Sequence, residues 1–279
     1  MSWFVFALGA GLASAINVYA SKLLVGRKLE PILIGGVVHL WGGLLCLLFL
    51  PWFKPSFNSS PIILLSVLGM GVVYALGNAL YFQALATTQL SEIDVLLRTS
   101  SFWTFLLAVL LLSEPAKPAL IFGAVLIFLS VLSLSQQTSL RLSKPHIVAL
   151  LAALTFGLGN VIDKALSPHF DALSYTALNL TLTGLGMLVL ARVPLKRLGA
   201  PVFWQPTAWL VALTFALTQL FIILAFQAGG SAGQVILVAQ VRLIILVGVG
   251  ITVLNERDRL GRKTVAALLM LLGLYVLYR

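Results

Sequence analysis

The chain contains 279 residues, of which 60% are hydrophobic and only 9% are charged, and its mean hydropathy is +1.07. Soluble domains carry about 25% charged residues, and a domain of this size could not keep so many apolar side chains away from water. The composition therefore excludes a soluble protein and predicts an integral membrane protein. Ten spanning helices of about 20 residues would use about 200 residues, which leaves no room for a separate soluble catalytic or nucleotide-binding domain.

The net charge of +10 and the isoelectric point of about 10.1 would indicate nucleic-acid binding in a soluble chain. Here the Lys and Arg residues lie mainly in short connections between apolar segments, where basic residues set the membrane topology. We therefore expect the lipid bilayer, and no nucleic acid, among its partners. Cys46 is the only cysteine, which excludes a disulfide framework and a cysteine-based zinc site. No catalytic residue, cofactor or bound metal is expected.

Apolar segments separated by Pro, Gly and charged residues predict ten spanning helices. Their predicted bounds are 3–24, 32–50, 62–85, 92–112, 119–136, 146–166, 172–191, 207–227, 234–254 and 263–278. Prolines lie at or near the ends of these segments, because proline is tolerated in the first turn of a helix and interrupts a helix elsewhere. The predicted fold class is an all-α integral membrane protein with ten transmembrane helices.

The two halves of the chain resemble each other when the sequence is shifted by 142 positions. That shift places Lys22 on Lys164 and Glu114 on Glu256, at the ends of corresponding spans. We predict one membrane domain made of two five-helix repeats, residues 1–137 and 143–279. Because five is odd, the second repeat would enter the membrane upside down, and inverted repeats are typical of alternating-access transporters.

This pattern resembles the drug/metabolite transporter superfamily and, within it, the EamA-like family. The resemblance covers nearly the whole chain and is carried by motifs in both halves. They are "YFQAL" (81–85), "AFQA" (225–228), Glu114, Glu256 and the glycine that begins "GAVLIFLSVL" (123–132). Ser101 and Leu243 depart from the pattern, since members of the family often carry proline there, and Val265 replaces the second-half glycine. The resemblance implies a carrier of a small metabolite such as an amino acid, exported rather than imported.

Two arginines lie within predicted spans, where a charged side chain is costly and usually faces a cavity or a partner. Arg98 is in the fourth span and Arg242 is in the corresponding ninth span. Asp94 lies four residues before Arg98, so the two can pair on one helical face. The partner of Arg242 must be Glu92 or Asp163 on another helix, water, or a substrate anion. Both arginines are candidate substrate-binding residues, because a guanidinium group suits a carboxylate or a phosphate.

Further candidates are polar and aromatic side chains that share helical faces. They are Tyr74, Asn78 and Tyr81 on the third span, Phe215 and Gln219 on the eighth, Asn17 on the first and Asn160 on the sixth. Such a pattern fits hydrogen bonding between packed helices. It also fits the wall of a cavity, where aromatic rings stack on a substrate and amides orient it. Under the second interpretation these seven residues bind substrate.

Three acidic residues in or near the predicted spans are candidates for coupling transport to protons: Glu92, Asp94 and Asp163. Lys164 directly follows Asp163, and this neighbour favours an ion pair near the membrane edge over a proton relay. His39 is isolated in sequence and is not assigned a role.

These observations favour a secondary active transporter, not an enzyme, in the bacterial inner (plasma) membrane. It would export an amino acid or a related carboxylate or zwitterion by alternating access around a midplane cavity between the repeats. The alternatives are a membrane enzyme acting on a lipid-linked phosphate substrate, and a carrier of organic cations or phosphorylated metabolites. We expect a monomer or a weak dimer. The basic residues of the loops place both termini outside, whereas the resemblance implies cytoplasmic termini, so the sequence leaves the orientation open.

Overall fold

A computed structural model of the chain describes residues 2–25, 30–52, 55, 60–87, 96–134, 144–192, 197, 199–242, 244–245 and 260–278. These residues contain ten α-helices. They are α1 Ser2–Val25, α2 Pro31–Phe49, α3 Pro61–Thr87, α4 Thr99–Leu112, α5 Pro118–Leu134, α6 Lys144–Leu166, α7 Ala172–Ala191, α8 Pro206–Gln227, α9 Ala232–Ala239 and α10 Leu260–Tyr278. Short 3₁₀ helices at Leu50–Trp52, Ser167–His169 and Pro201–Trp204 join or extend them.

Six of these helical segments are long and apolar enough to cross a membrane. They are Ser2–Val25, Pro31–Trp52, Pro61–Thr87, Lys144–His169, Ala172–Ala191 and Pro206–Gln227. The helices α4, α5 and α10 contain shorter apolar segments. Large apolar side chains such as Val5, Leu65, Leu110 and Val189 are exposed on the outer surface, where lipid is their natural solvent. The prediction of an all-helical, multi-pass membrane protein is confirmed.

Several helix starts follow from the sequence. Pro31, Pro61, Pro118 and Pro206 each occupy the first residue of a helix, where the missing N–H group would have had no partner within the helix. The helix α7 begins instead with a side-chain cap, since Asp171 Oδ1 accepts a hydrogen bond from the Ser174 amide at 2.9 Å. These signals explain why the observed starts lie within a few residues of the predicted ones.

The fourth and ninth predicted spans are not continuous helices in the structure. The residue before α4, Arg98, lies in a turn, and α9 ends at Ala239. Beyond α9 the amides of Gln240 and Val241 donate to carbonyls three residues earlier, at 3.1 and 3.0 Å. Such tight turns take the place of α-helical bonding. The continuous spans predicted for 92–112 and 234–254 were therefore wrong at these two points; residues 92–95, 243 and 246–254 lie outside the described part of the chain.

Helices from the two halves of the chain pack against each other. The helix α1 packs on α8, α3 packs on α6, and α2 packs on α7. Further contacts join α4 to α6, α9 to α1, α3 to α7, and α2 to α8. The helices α5 and α10 pack together as a separate pair at the side. This arrangement leaves α1–α4 and α6–α9 around the centre of the molecule.

The crossing of α2 and α7 depends on glycine. A Cβ atom added at Gly184 would lie 2.8 Å from the carbonyl oxygen of Gly36 and 2.8 Å from the amide nitrogen of Leu40. Both of these are backbone atoms, so the helices would have to separate to admit the methyl group. Close approach over small residues is the usual way in which membrane helices gain packing energy.

We expect Gly184→Ala to destabilise the protein by about 1–3 kcal/mol, the usual cost of overpacking. A lower midpoint of thermal unfolding in detergent would show this. Gly69→Ala is the matched control, since no atom lies within 4 Å of a Cβ added there and alanine is the better helix former. Equal unfolding midpoints for the two variants would contradict the proposed close contact between α2 and α7.

Candidate substrate cavity

A cavity of about 190 Å³ lies among the central helices, and its described wall comes from α1–α4, α6–α8, and α9 with the residues that follow it. Eight of the nine predicted substrate-binding residues line this cavity. They are Asn17, Tyr74, Asn78, Tyr81, Asn160, Phe215, Gln219 and Arg242. Neither α5 nor α10 contributes a described residue to the wall. The volume corresponds to about six water molecules at about 30 Å³ each, so the space fits a small metabolite.

Arg242 is the only described residue of the cavity wall that carries a full charge at neutral pH. Its Nη1 atom donates a hydrogen bond to Ser14 Oγ on α1 at 2.9 Å, which fixes one edge of the guanidinium group. Of its two predicted acidic partners, Glu92 lies outside the described residues. The carboxylate of Asp163, the other candidate, accepts hydrogen bonds from other side chains. The sequence did not indicate Ser14 as a partner.

Arg98 does not line this cavity. It lies against a separate, largely apolar cleft of about 480 Å³ between α4, α5, α6 and α9. Its Nη1 atom donates to Gln240 Oε1 at 2.9 Å, and Gln240 Nε2 donates to Ser101 Oγ at 2.6 Å. Because Gln240 lines both spaces, this polar group forms a partition between the cavity and the cleft. The predicted partner of Arg98, Asp94, lies outside the described residues.

Asp163 lies behind the cavity wall and is completely buried. Its Oδ1 atom accepts hydrogen bonds from Tyr175 Oη at 2.7 Å and Asn179 Nδ2 at 3.2 Å. Its Oδ2 atom accepts from Tyr74 Oη at 2.6 Å and Gln219 Nε2 at 2.7 Å. Four donors from three neighbouring helices therefore surround one carboxylate, and hydrogen bonds of this kind are the means by which a buried carboxylate is tolerated.

The predicted ion pair between Asp163 and Lys164 was wrong. Lys164 Nζ instead donates to the carbonyl oxygens of Phe226 at 3.1 Å and Gly230 at 2.8 Å, near the end of α8. Residues adjacent in sequence on a helix point in different directions and do not face each other. Asp163 therefore faces the protein interior, while Lys164 caps the end of a neighbouring helix.

His39 lines the cavity, although its isolation in the sequence gave it no predicted role. The structure places its Nδ1 atom 2.7 Å from the carbonyl oxygen of Gly35, and its ring lies 4.2 Å from the ring of Phe215. The signal that could have found it is its position in the middle of an otherwise uncharged span, since ionisable residues within membrane helices are usually functional. Ser14, Asn179 and Gln240 also line the cavity and were not predicted.

Comparison with known proteins supports a transporter fold. Residues 1–136 match the model of the EamA-like transporter family. Over these residues, just under half of its length, the chain is similar to the EamA-like transporter family. The family is part of the drug/metabolite transporter superfamily, so the resemblance stated from the sequence is confirmed, and the match indicates a transporter of this type.

A solved structure titled "Crystal structure of protein" aligns with nearly all of this chain. The alignment covers 99% of this chain and 96% of that chain, with a TM-score of 0.72 and 14% sequence identity. At this identity the likeness concerns the fold alone. A search of curated proteins found no match.

The burial of Asp163 makes its hydrogen-bond donors important for stability. Tyr175→Phe removes one hydrogen bond to the carboxylate and keeps the ring that packs 5.5 Å from Phe170. A hydrogen bond to a charged group contributes about 1.5–3 kcal/mol, so we expect a loss of about that size in the free energy of unfolding. Thermal unfolding in detergent would measure it. Tyr19→Phe is the control, because Tyr19 is 45% exposed; equal midpoints for the two variants would contradict the expectation.

Proposed function

We propose that the protein is a secondary active transporter that exports an amino acid or a related carboxylate or zwitterion. The observation that carries this proposal is the cavity between the two halves of the chain, with the guanidinium group of Arg242 in its wall. A guanidinium group binds a carboxylate through two parallel hydrogen bonds, which gives both affinity and orientation.

Alternating access requires two structural units that can rock around a central site. We propose that these are two inverted repeats, α1–α5 and α6–α10. The helix contacts support this assignment, because exchanging each helix with its counterpart five helices later reproduces the most extensive contacts. The pair α1 and α8 becomes α6 and α3, for example, and the pair α4 and α6 becomes α9 and α1. The pairs α2–α7, α4–α9 and α5–α10 each exchange with themselves, as expected across a twofold axis.

Individual residues support the same repeat. Arg98 and Gln240 are separated by 142 positions, the shift that aligns the two halves, and their side chains contact each other. Equivalent residues meet in this way at a twofold axis. Both also lie where the helices α4 and α9 are interrupted, and interrupted helices are a common feature of transporter binding sites. Lys22 and Lys164 also play equivalent roles, each donating to a carbonyl near the end of the third helix of its own half.

The remaining cavity wall supports a substrate with both polar and apolar parts. Phe215 and Phe156 line it together with Tyr81, and the His39 ring packs against Phe215 in a tilted arrangement. Aromatic rings of this kind would contact an apolar side chain of the substrate, while the amides beside them would bind its polar groups. The coupling ion would be a proton carried by an acidic residue. Of the three predicted candidates, Glu92, Asp94 and Asp163, only Asp163 lies in the part of the chain that the structure describes.

Counterflow in proteoliposomes tests this function. Vesicles loaded with a mixture of unlabelled amino acids should take up a labelled one by saturable exchange, which a channel would not produce. We expect Arg242→Ala to reduce exchange by about tenfold or more, since a hydrogen-bonded charge contributes about 1.5–3 kcal/mol and 1.4 kcal/mol corresponds to a factor of ten.

Arg197→Ala is the matched control, because Arg197 is exposed and does not line the cavity. Exchange that survives Arg242→Ala at the level of Arg197→Ala would contradict the role of the guanidinium group and leave the carrier function standing. No exchange of any amino acid by the unmodified protein would contradict the proposed substrate class.

A further inference from the structure

We infer that the cavity selects substrates by their ammonium group, through a wall of hydrogen-bond acceptors that Asp163, main-chain carbonyls and Thr104 hold in orientation. This inference rests on the proposed transport function and specifies the substrate end opposite to the carboxylate. Side chains of the wall donate hydrogen atoms to other groups of the protein, and this leaves acceptor atoms for a ligand. The donors and acceptors of each side chain are fixed by its chemistry, so the partner of one polar atom determines the orientation of the other.

The first group of wall residues is oriented by Asp163. An ionised carboxylate only accepts hydrogen bonds, so each polar atom beside it must be a donor. Tyr74 has a single hydroxyl hydrogen, which it donates to Oδ2, and its oxygen therefore offers only lone pairs to the cavity. Gln219 and Asn179 turn their amide nitrogens towards Asp163, which turns their carbonyl oxygens away from it. All three side chains line the cavity.

The second group is oriented by main-chain carbonyls, which also only accept. Asn78 Nδ2 donates to the carbonyl oxygen of Tyr74 at 2.9 Å, so its Oδ1 atom points the other way. The contact of His39 Nδ1 with the Gly35 carbonyl requires the hydrogen to be on Nδ1. In the neutral imidazole the Nε2 atom is then an acceptor. Neither orientation can be reversed without placing two acceptors against each other.

Asn160 is oriented through a neighbouring threonine. Thr104 donates its hydroxyl hydrogen to the carbonyl oxygen of Ser100 at 2.9 Å, so its oxygen can only accept from Asn160. Asn160 Nδ2 makes that bond at 3.0 Å, which directs its Oδ1 atom towards Tyr74, 3.4 Å away. Because the Tyr74 hydrogen is donated to Asp163, Asn160 Oδ1 adds another acceptor to the same wall.

The result is a surface of lone pairs on six side chains from five helices, with a carboxylate directly behind it. The residues are His39, Tyr74, Asn78, Asn160, Asn179 and Gln219. A primary ammonium group carries three hydrogens and no acceptor, and its positive charge is attracted by the buried carboxylate. Carboxylates and phosphates, which bring only acceptors, are disfavoured at this wall and are directed to Arg242. A zwitterion satisfies both ends at once.

Three related ligands test the inference on the purified, unmodified protein: L-leucine, α-hydroxyisocaproate, which lacks the ammonium group, and isoamylamine, which lacks the carboxylate. Affinities are measured by isothermal titration calorimetry in detergent. We expect α-hydroxyisocaproate to bind at least about tenfold more weakly than L-leucine. Equal affinity of these two would overturn the inference and leave the proposed carboxylate transport standing.

The amine separates the inference from the proposed function. Isoamylamine that binds as tightly as L-leucine, together with weak binding of the hydroxy acid, would support recognition of the ammonium group and contradict the proposed carboxylate contact at Arg242. The absence of binding by all three ligands would overturn both proposals.

Asp163→Asn tests the positioning role of the carboxylate, because an asparagine brings its own donors and forces neighbouring amides to turn. We expect the affinity ratio of L-leucine to α-hydroxyisocaproate to fall by about tenfold. Asp171→Asn is the matched control, since Asp171 caps α7 outside the cavity and asparagine caps helices equally well. A folded Asp163→Asn protein with an unchanged ratio would overturn the inference.

His39→Phe provides a second variant should Asp163→Asn fail to fold. It removes the Nε2 acceptor and keeps an aromatic ring against Phe215 and Phe82. The same ratio should fall, and a ratio equal to that of the unmodified protein would count against the acceptor wall.

Discussion

The buried carboxylate of Asp163 is the constraint to which most of the polar interior of this protein is adapted. A charge removed from water at this depth costs several kcal/mol unless hydrogen bonds replace its hydration. Four donors do so, and they come from α3, α7 and α8, whereas Asp163 itself is on α6. One side chain therefore joins four helices from both halves of the chain. Apolar surface alone does little to determine how membrane helices pair. Such a polar centre therefore also fixes the position of each helix relative to its neighbours.

The same interaction determines the chemistry of the cavity. Three of the four donors to Asp163 also line the cavity, so the hydrogens used to stabilise the carboxylate are withdrawn from any ligand. Stability of the helix bundle and polarity of the site thus have a common origin. At another part of the wall, Arg242 is held by a contact with Ser14 on α1. The cavity wall therefore has two parts: a cationic part at Arg242, which contacts α1, and a part formed by the side chains that donate to Asp163.

Much of this arrangement could be predicted from the sequence. Hydropathy and proline positions gave helices close to those observed. Helical spacing identified seven residues of the cavity wall, because side chains on one face of a helix stay together whatever the tertiary packing, and the cost of a charge within a span identified Arg242. The direction of Asp163 could not be predicted, since Lys164 is its neighbour in sequence but not in space. The interruptions at Arg98 and Gln240 also escaped prediction, because neither position carries the proline or glycine that usually marks such a break.

The proposed alignment of the two halves pairs the polar centre of one half with apolar residues of the other. The shift of 142 positions places Ser21 opposite Asp163, and Ser21 makes only a weak contact, at 3.4 Å, with Asn17 on its own helix. The four donors to Asp163 correspond to apolar residues of the other half: Leu33, Val37, Gly77 and Ala216. Apolar packing can be shared by both halves because it tolerates substitution of similar volume. In the described residues a buried carboxylate with four donors occupies only one of the two aligned positions, so the polar surroundings of the cavity differ between the two halves.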